Sequence, residues 1–392
     1  MRHTIKIPFL LIAILFSTYS SLSYSEESFI PKPPSLNSSN YILVDAVSGR
    51  VLAEKEADVR IEPASITKIM TGYVAADQIS KGFVSLDDEV LISENCWRKG
   101  GSKMFIREGT RVLLSDLMKG MVIQSGNDAS CAIAEHVAIS EEGFVELMQL
   151  YVKELGMENT QFINVTGWPD PEHFSSARDL ALLTKKLIDR FPDHYALYNE
   201  KYFTYNEIRQ RNRNSLLWQD DSIDGIKTGH TKASGYCLVA SSKRADMRLI
   251  SIVLNSSSEK SRLQDTRRLL DYGFKYYQTK KIIAKYQPIS IVDVWSGMED
   301  KLELGPEKDI FITLTKPTFD RLTIEVSKNL GVKAPIRKDS VLDRLDIKVD
   351  GETIQSVDLV AVNNVQRKGI IIATLESLMF YVYSFFMQDE IN

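Results

Sequence analysis

The chain has 392 residues, 44% of them hydrophobic and 26% charged, which suffices for substantial cores in two or three domains. Its formal net charge of -4 argues against nucleic acid as a partner, because phosphate binding requires a basic surface. The five histidines (His3, His136, His173, His194, His230) form no cluster of metal-ligand spacing, so neither a metal nor a cofactor is expected.

The first 25 residues read as a secretory signal. Arg2 and Lys6 make a basic start, Phe9 to Phe16 is a compact apolar run, and Ser23-Tyr24-Ser25 supplies the small residues of a cleavage site before Glu26. At least one of the three cysteines (Cys96, Cys131, Cys237) must be unpaired, and none lies in a C-x-x-C. All three are therefore expected to be small buried apolar residues.

Pro31 to Asn40 reads as an exposed lead-in. Tyr41 to Val44 and Arg50 to Glu54, with turn residues Ala46-Val47-Ser48-Gly49 between, predict a β-hairpin. From Ser65 the period becomes helical: Ile66, Ile69, Met70, Tyr73 and Val74 share one face. Helical patterns return from Ser115 to about Leu155 and from Ser176 to about Phe191. Three β-rich runs follow (Ile223 to Thr231, Tyr236 to Ser242, Arg248 to Leu254), then a helix from about Ser261 to Tyr277. Strands at both ends with helices between predict an α+β domain, an antiparallel sheet flanked by helices.

Near Lys280 the texture changes. Short apolar runs separated by turns predict a small all-β domain to about residue 366: Ile289 to Trp295, Lys301 to Leu304, Asp309 to Leu314, Leu322 to Val326, Leu345 to Val349 and Gln355 to Ala361. Ile370 to Met387 is apolar with one charge, Glu376. On a helical wheel Thr374, Ser377, Tyr381, Ser384 and Gln388 form a narrow polar stripe opposite Leu375, Leu378, Phe385 and Phe386. Such a C-terminal amphipathic helix is suited to lying in a membrane interface. The expected divisions are 1–25 signal, 26–280 catalytic domain, 281–366 all-β domain and 367–392 membrane anchor.

Three short motifs fall in one order: Ser65-Ile66-Thr67-Lys68, then Ser125-Gly126-Asn127, then Lys227-Thr228-Gly229. Each alone is weak. A serine at a helix start commonly does no more than cap it, and a lysine on an edge strand commonly guards against aggregation. Together they make a site. Lys68, three residues after Ser65, lies on the same face and can take its proton if its own charge is disfavoured. Ser125 can relay a proton toward a leaving amine, and Asn127 can orient Lys68 and grip a substrate backbone. The strand carrying Lys227 and Thr228 can pair with an extended peptide, with Gly229 allowing close approach. Backbone N–H groups of Ser65 and His230 would form an oxyanion hole.

In this order the motifs resemble the S-x-x-K, S-x-N, K-T-G set of penicillin-recognising serine enzymes. Glu62 to Thr71, Gln124 to Ala129, Phe174 to Asp179 and Lys227 to Thr231 closely resemble D-alanyl-D-alanine carboxypeptidases of the penicillin-binding protein 5 and 6 type. The likeness runs from about Asn40 to Phe274 and continues more weakly through the β domain. It implies a periplasmic enzyme, attached to the inner membrane by its C-terminal helix, that removes the terminal D-alanine from peptidoglycan pentapeptides through an acyl-enzyme on Ser65. It implies β-lactam antibiotics as acylating inhibitors. It also points to Arg262 as the group near the substrate carboxylate, which Arg can bind bidentately. One departure is Gly167 to His173, where a bulky Trp168 bears on substrate range. The rival readings are a β-lactamase or transpeptidase of the same fold, and a non-catalytic wall-binding scaffold. No E-x-x-L-N pattern supplies a lactamase-type base, and a pure binder has no use for both Ser65 and Lys68.

Overall fold

The computed structural model describes residues 31–327 and 331–369. The signal segment and nearly all of the C-terminal helix inferred from the sequence lie outside the described residues. Among the described residues, no helix is long and apolar enough to cross a membrane.

The catalytic domain is built on a five-stranded antiparallel sheet. Its order is Val51–Lys55, Asn40–Asp45, Met247–Ser256, Gly235–Arg244 and Ile223–Thr231. The N-terminal hairpin thus joins the three later strands, as their patterns predict, with Tyr41 opposite Val253 and Lys227 opposite Val239. Alternation along each strand sends side chains to two cores. Ile42, Val44, Val239, Ile250 and Ile252 face the helical layer. Tyr41, Leu43, Leu238, Leu249 and Val253 face the helix Glu259–Tyr276 through Leu269 and Leu270. The motif strand Ile223–Thr231 is left at the sheet edge.

The helix Lys68–Ser80 is buried all round from Lys68 to Asp77, rather than along one stripe. Ile69, Met70, Tyr73 and Val74 are each fully covered, and burial of such side chains contributes roughly 1.5–3 kcal/mol apiece. This central position holds its first turn, which Lys68 opens, and the 3-10 turn before it, which carries Ser65.

One expectation fails here. Cys96 and Cys131 form a disulfide, with Cα atoms 5.2 Å apart, while Cys237 is free and buried as expected. The pairing joins residues 35 apart on two different helices, Glu94–Arg98 and Asn127–Ala138. No local spacing signals that, because tertiary packing alone brings the two Cβ atoms together.

The β domain has a six-stranded sheet ordered Leu322–Val326, Val341–Val349, Glu352–Ala361, Lys301–Pro306, Ser290–Trp295 and Val332–Lys333. A separate pair joins Tyr277–Ile283 to Ile310–Thr315. Tyr277–Ile283 follows directly on the preceding helix and crosses the boundary drawn at residue 280. It also ties the domains together: Thr279 Oγ1 donates to Asp45 Oδ2 at 2.8 Å, and Arg50 donates to the Thr313 carbonyl at 2.8 Å.

Candidate active site

Ser65 lies on a 3-10 turn, Ala64–Thr67, that runs directly into the helix beginning at Lys68. Ala64, one residue earlier, has φ +49°. This left-handed conformation costs a residue with a Cβ roughly 1–2 kcal/mol, and the surrounding packing holds it. The turn is braced from behind. The Ile163 N–H donates to His173 Nδ1 at 3.0 Å, so Nε2 carries the ring proton and donates to Thr67 Oγ1 at 2.8 Å. Thr67 Oγ1 in turn donates to the Ala64 carbonyl at 2.8 Å. Burial pushes His173 down to about 4, which keeps it neutral for this role.

Lys68 is 1% exposed, and its Nζ has three oxygen neighbours: Ser65 Oγ at 3.1 Å, Asn127 Oδ1 at 2.7 Å and the Thr166 carbonyl at 2.7 Å. Burial holds its pKa well below the usual lysine range; the Lys227 charge lowers it further, against an opposing pull from Asp128. A neutral amine has two N–H groups and one lone pair. Asn127 Oδ1 and the Thr166 carbonyl can only accept, so they take the two N–H groups. That leaves the lone pair for the Ser65 hydroxyl.

The second motif ends a helix. The segment Gly120–Gln124 widens into a π turn, and Ser125 follows in the left-handed region at φ +66°. Gly126 has no room for a side chain: an added Cβ would sit 2.8 Å from Asp128 Oδ1 and 3.0 Å from the Met104 nitrogen. Ser125 Oγ is buried with no hydrogen-bond partner among the described residues. Asn127 is fixed at both ends of its amide, since Nδ2 donates to the Gly100 carbonyl at 2.8 Å while Oδ1 faces Lys68.

The third motif forms the opposite wall. Lys227 is 2% exposed, and burial together with Arg213 and Arg262 lowers its pKa to about 7. At Gly229 an added Cβ would lie 2.9 Å from the Pro63 carbonyl and 3.2 Å from Ala64 Cβ. The close approach that requires glycine is therefore made by the protein's own serine turn, not only by a substrate. His230 is exposed and stacks on Tyr236, ring centroids 4.1 Å apart.

Ser65, Ser125, Thr228, Gly229, His230 and Arg262 line one open cavity of about 310 Å³. Arg262 is only 4% exposed, unlike a solvated helix charge. Its Nη2 meets Glu259 at 3.2 Å, and its Nε has no partner among the described residues. Lys68, Asn127 and Lys227 stand behind this lining, Lys68 and Asn127 reaching it through the contacts described. The structure thus brings the sequence-predicted residues to one place. It adds Ser102, Arg213, Tyr236 and Glu259 to the cavity wall and His173 and Thr166 behind it. None of these carries a motif. Only Arg213 had a visible signal, a cation at every second position of Arg209-Gln210-Arg211-Asn212-Arg213.

This sheet, turn and cavity are those of a known group of proteins. The chain belongs to the D-alanyl-D-alanine carboxypeptidase family: the model of that family matches residues 27–258, and the penicillin-binding protein 5 C-terminal domain matches residues 277–367. It is 37% identical to D-alanyl-D-alanine carboxypeptidase DacC of Escherichia coli K12, over 95% of each chain. It is 38% identical to DacA of Haemophilus influenzae, over 94% of this chain and 95% of that one. The solved structure of penicillin binding protein 5 from Haemophilus influenzae superimposes with a TM-score of 0.81 at 37% identity, over 86% of this chain and all of that one.

Proposed function

We propose that this protein is a serine-type D-Ala-D-Ala carboxypeptidase that trims the terminal D-alanine from peptidoglycan pentapeptides. The observation that carries the reading is the set of three oxygens around Lys68 Nζ, which leaves a buried neutral amine one lone pair, directed at Ser65 Oγ. Lys68 takes the Ser65 proton as Oγ attacks the penultimate D-Ala carbonyl. The Ser65 and His230 N–H groups stabilise the oxyanion. Ser125, with its hydroxyl unpartnered, passes a proton to the departing D-Ala amine. Arg262 and Thr228 hold the terminal carboxylate, and Lys227 adds positive potential behind them. Water then hydrolyses the ester on Ser65. A β-lactam carries a strained amide and a carboxylate in a similar arrangement and would acylate the same serine. A relative from Listeria monocytogenes, penicillin-binding protein D2, is known in an ampicillin-bound form; its TM-score is 0.57 at 27% identity over 62% of this chain.

Action in the periplasm is supported by the apparent signal segment and by the Cys96–Cys131 disulfide, which persists in oxidising compartments. Attachment to the membrane surface rests on the polar-striped C-terminal sequence. The deciding experiment is incubation with a peptide ending in D-Ala-D-Ala, scoring free D-alanine against transfer to an added amine. Release supports the carboxypeptidase, and dominant transfer would make the protein a transpeptidase.

A further inference from the structure

Next to the catalytic cavity lies a second groove of about 420 Å³ that shares Arg213 and Glu259 with it. Its floor is a strand and its continuation in which the chain alternates strictly. Gln210, Asn212 and Asn214 are buried, and Arg209, Arg211 and Arg213 are exposed. The inward amides are anchored. Asn212 Nδ2 donates to the Glu200 carbonyl at 3.0 Å, and Asn214 Nδ2 donates to the Gly225 carbonyl at 3.0 Å. The outward arginines therefore stand on a fixed backbone, at the roughly 7 Å spacing of alternate residues in an extended chain.

Two of these arginines lie over aromatic rings. The Arg209 guanidinium carbon lies 3.8 Å from the Tyr202 ring centroid, and that of Arg211 lies 4.0 Å from the Trp218 centroid. Contact with a ring restrains each side chain, and a guanidinium can bind a planar, two-oxygen partner bidentately. Among the described residues, none of the three arginines reaches a carboxylate, and Glu259, the acid beside them, is engaged with Arg262. Phe105 and Ile208 add apolar wall to the same groove.

We propose that this groove is a second binding site, continuous with the first, for a carboxylate-bearing peptide segment of the cell-wall polymer. The inference rests on the peptidase reading and extends it from the scissile end of one peptide to a neighbouring part of the wall. A concave site with cations two residues apart along one strand fits an extended acidic peptide better than a membrane. Recognition of anionic lipid headgroups takes clusters of about four to eight basic residues beside a membrane segment, whereas three arginines line this groove.

The test compares the full-length protein with an Arg209→Gln/Arg211→Gln variant and an Arg209→Lys/Arg211→Lys variant. D-alanine release is measured on a small N-capped peptide ending in D-Ala-D-Ala and on isolated pentapeptide-rich peptidoglycan. On the small peptide, kcat and KM should stay within about twofold of wild type. On peptidoglycan, the Gln pair should raise KM about fivefold, the scale of two partly solvated ion pairs. Wild type should lose that advantage in about 0.5 M salt, where the Debye length falls below the spacing of the charges. The Lys pair should recover only part of it, because an ammonium cannot form the fork. Equal losses on both substrates would mean a structural role and overturn the proposal, as would an unchanged KM on peptidoglycan. Loss of binding to anionic phospholipid vesicles with peptidoglycan kinetics intact would make the groove a membrane contact and overturn it too. If the wild type releases no D-alanine from the small peptide, the peptidase reading itself falls. A wild type active on both substrates with no effect of the Gln pair defeats this inference alone.

Discussion

The two domains both carry surface ion pairs, but they differ in whether they also bury cations. Among the described residues of the β domain, ion pairs lie at the surface, as in Arg321–Asp350 at 2.7 Å and Lys281–Asp309 at 3.1 Å. In the catalytic domain, Lys68, Lys227 and Arg262 are almost wholly buried, and among the described residues no carboxylate forms an ion pair with either lysine. Burying a cation without a counter-ion costs several kcal/mol or forces it to give up its proton. Folding alone gives no reason to do this for two lysines at one site, Lys68 and Lys227. Where burial of charge opposes stability, the contrast marks the site as reliably as any motif.

The sharpest way to break the comparison is to remove the pair at its centre. Ser65→Ala and Lys68→Ala should each lower D-alanine release by about a thousandfold or more, the scale seen when a nucleophile or its base is deleted. Ser65→Ala should also abolish covalent labelling by penicillin. Labelling that survives would place the nucleophile elsewhere. Arg262→Ala comes next. Removing one side of a buried charge contact costs about 2–5 kcal/mol, so kcat/KM on peptides with a free C-terminus should fall by roughly a hundredfold. Wild type should in turn discriminate against the C-terminally amidated peptide. Equal rates on the two would show that no cation reads the carboxylate.

Cys96→Ser tests a link between fold and site. The disulfide anchors the segment ahead of Gly100 and Ser102, whose carbonyls receive the Asn127 side chain and backbone N–H. Its loss should cost about 2–4 kcal/mol of stability, read as a lower unfolding midpoint that reductant reproduces in wild type. An unchanged midpoint in both would mean the bond contributes nothing. The smallest effect belongs to the β domain. Arg321→Ala should leave D-alanine release unchanged and the melting temperature nearly so, because exposed ion pairs contribute little. A large loss of activity would show that this domain bears on the chemistry.

Much of this contrast was legible in the residues. Alternation at Tyr41 to Val44 and the helical period from Ile66 to Val74 are local, and both elements form where they predict. The order of the three motifs pointed to one cavity, and Arg262 lines it with Ser65 and Ser125. What escaped depends on distant packing. The Cys96–Cys131 bond joins two helices that no spacing relates. His173 braces the serine turn only because a loop folds back over it. The strand Tyr277–Ile283 carries two adjacent lysines, Lys280 and Lys281, which interrupt its alternation, and it is defined by pairing with the distant Ile310–Thr315. Gly229 shows the remaining limit. Its residue type announced a close approach, but only the structure shows that the serine turn makes it.

The central claim is that burial keeps Lys68 neutral so that it can deprotonate Ser65. The most direct measurement is the rate of Ser65 acylation by a β-lactam as a function of pH. A group with a depressed pKa becomes neutral above its folded value, so the rate should rise with pH through a limb lying well below 10.5, the ordinary lysine value. Lys68→Ala should remove both the limb and nearly all the rate. A limb near 10.5, or one that persists without Lys68, would contradict the account.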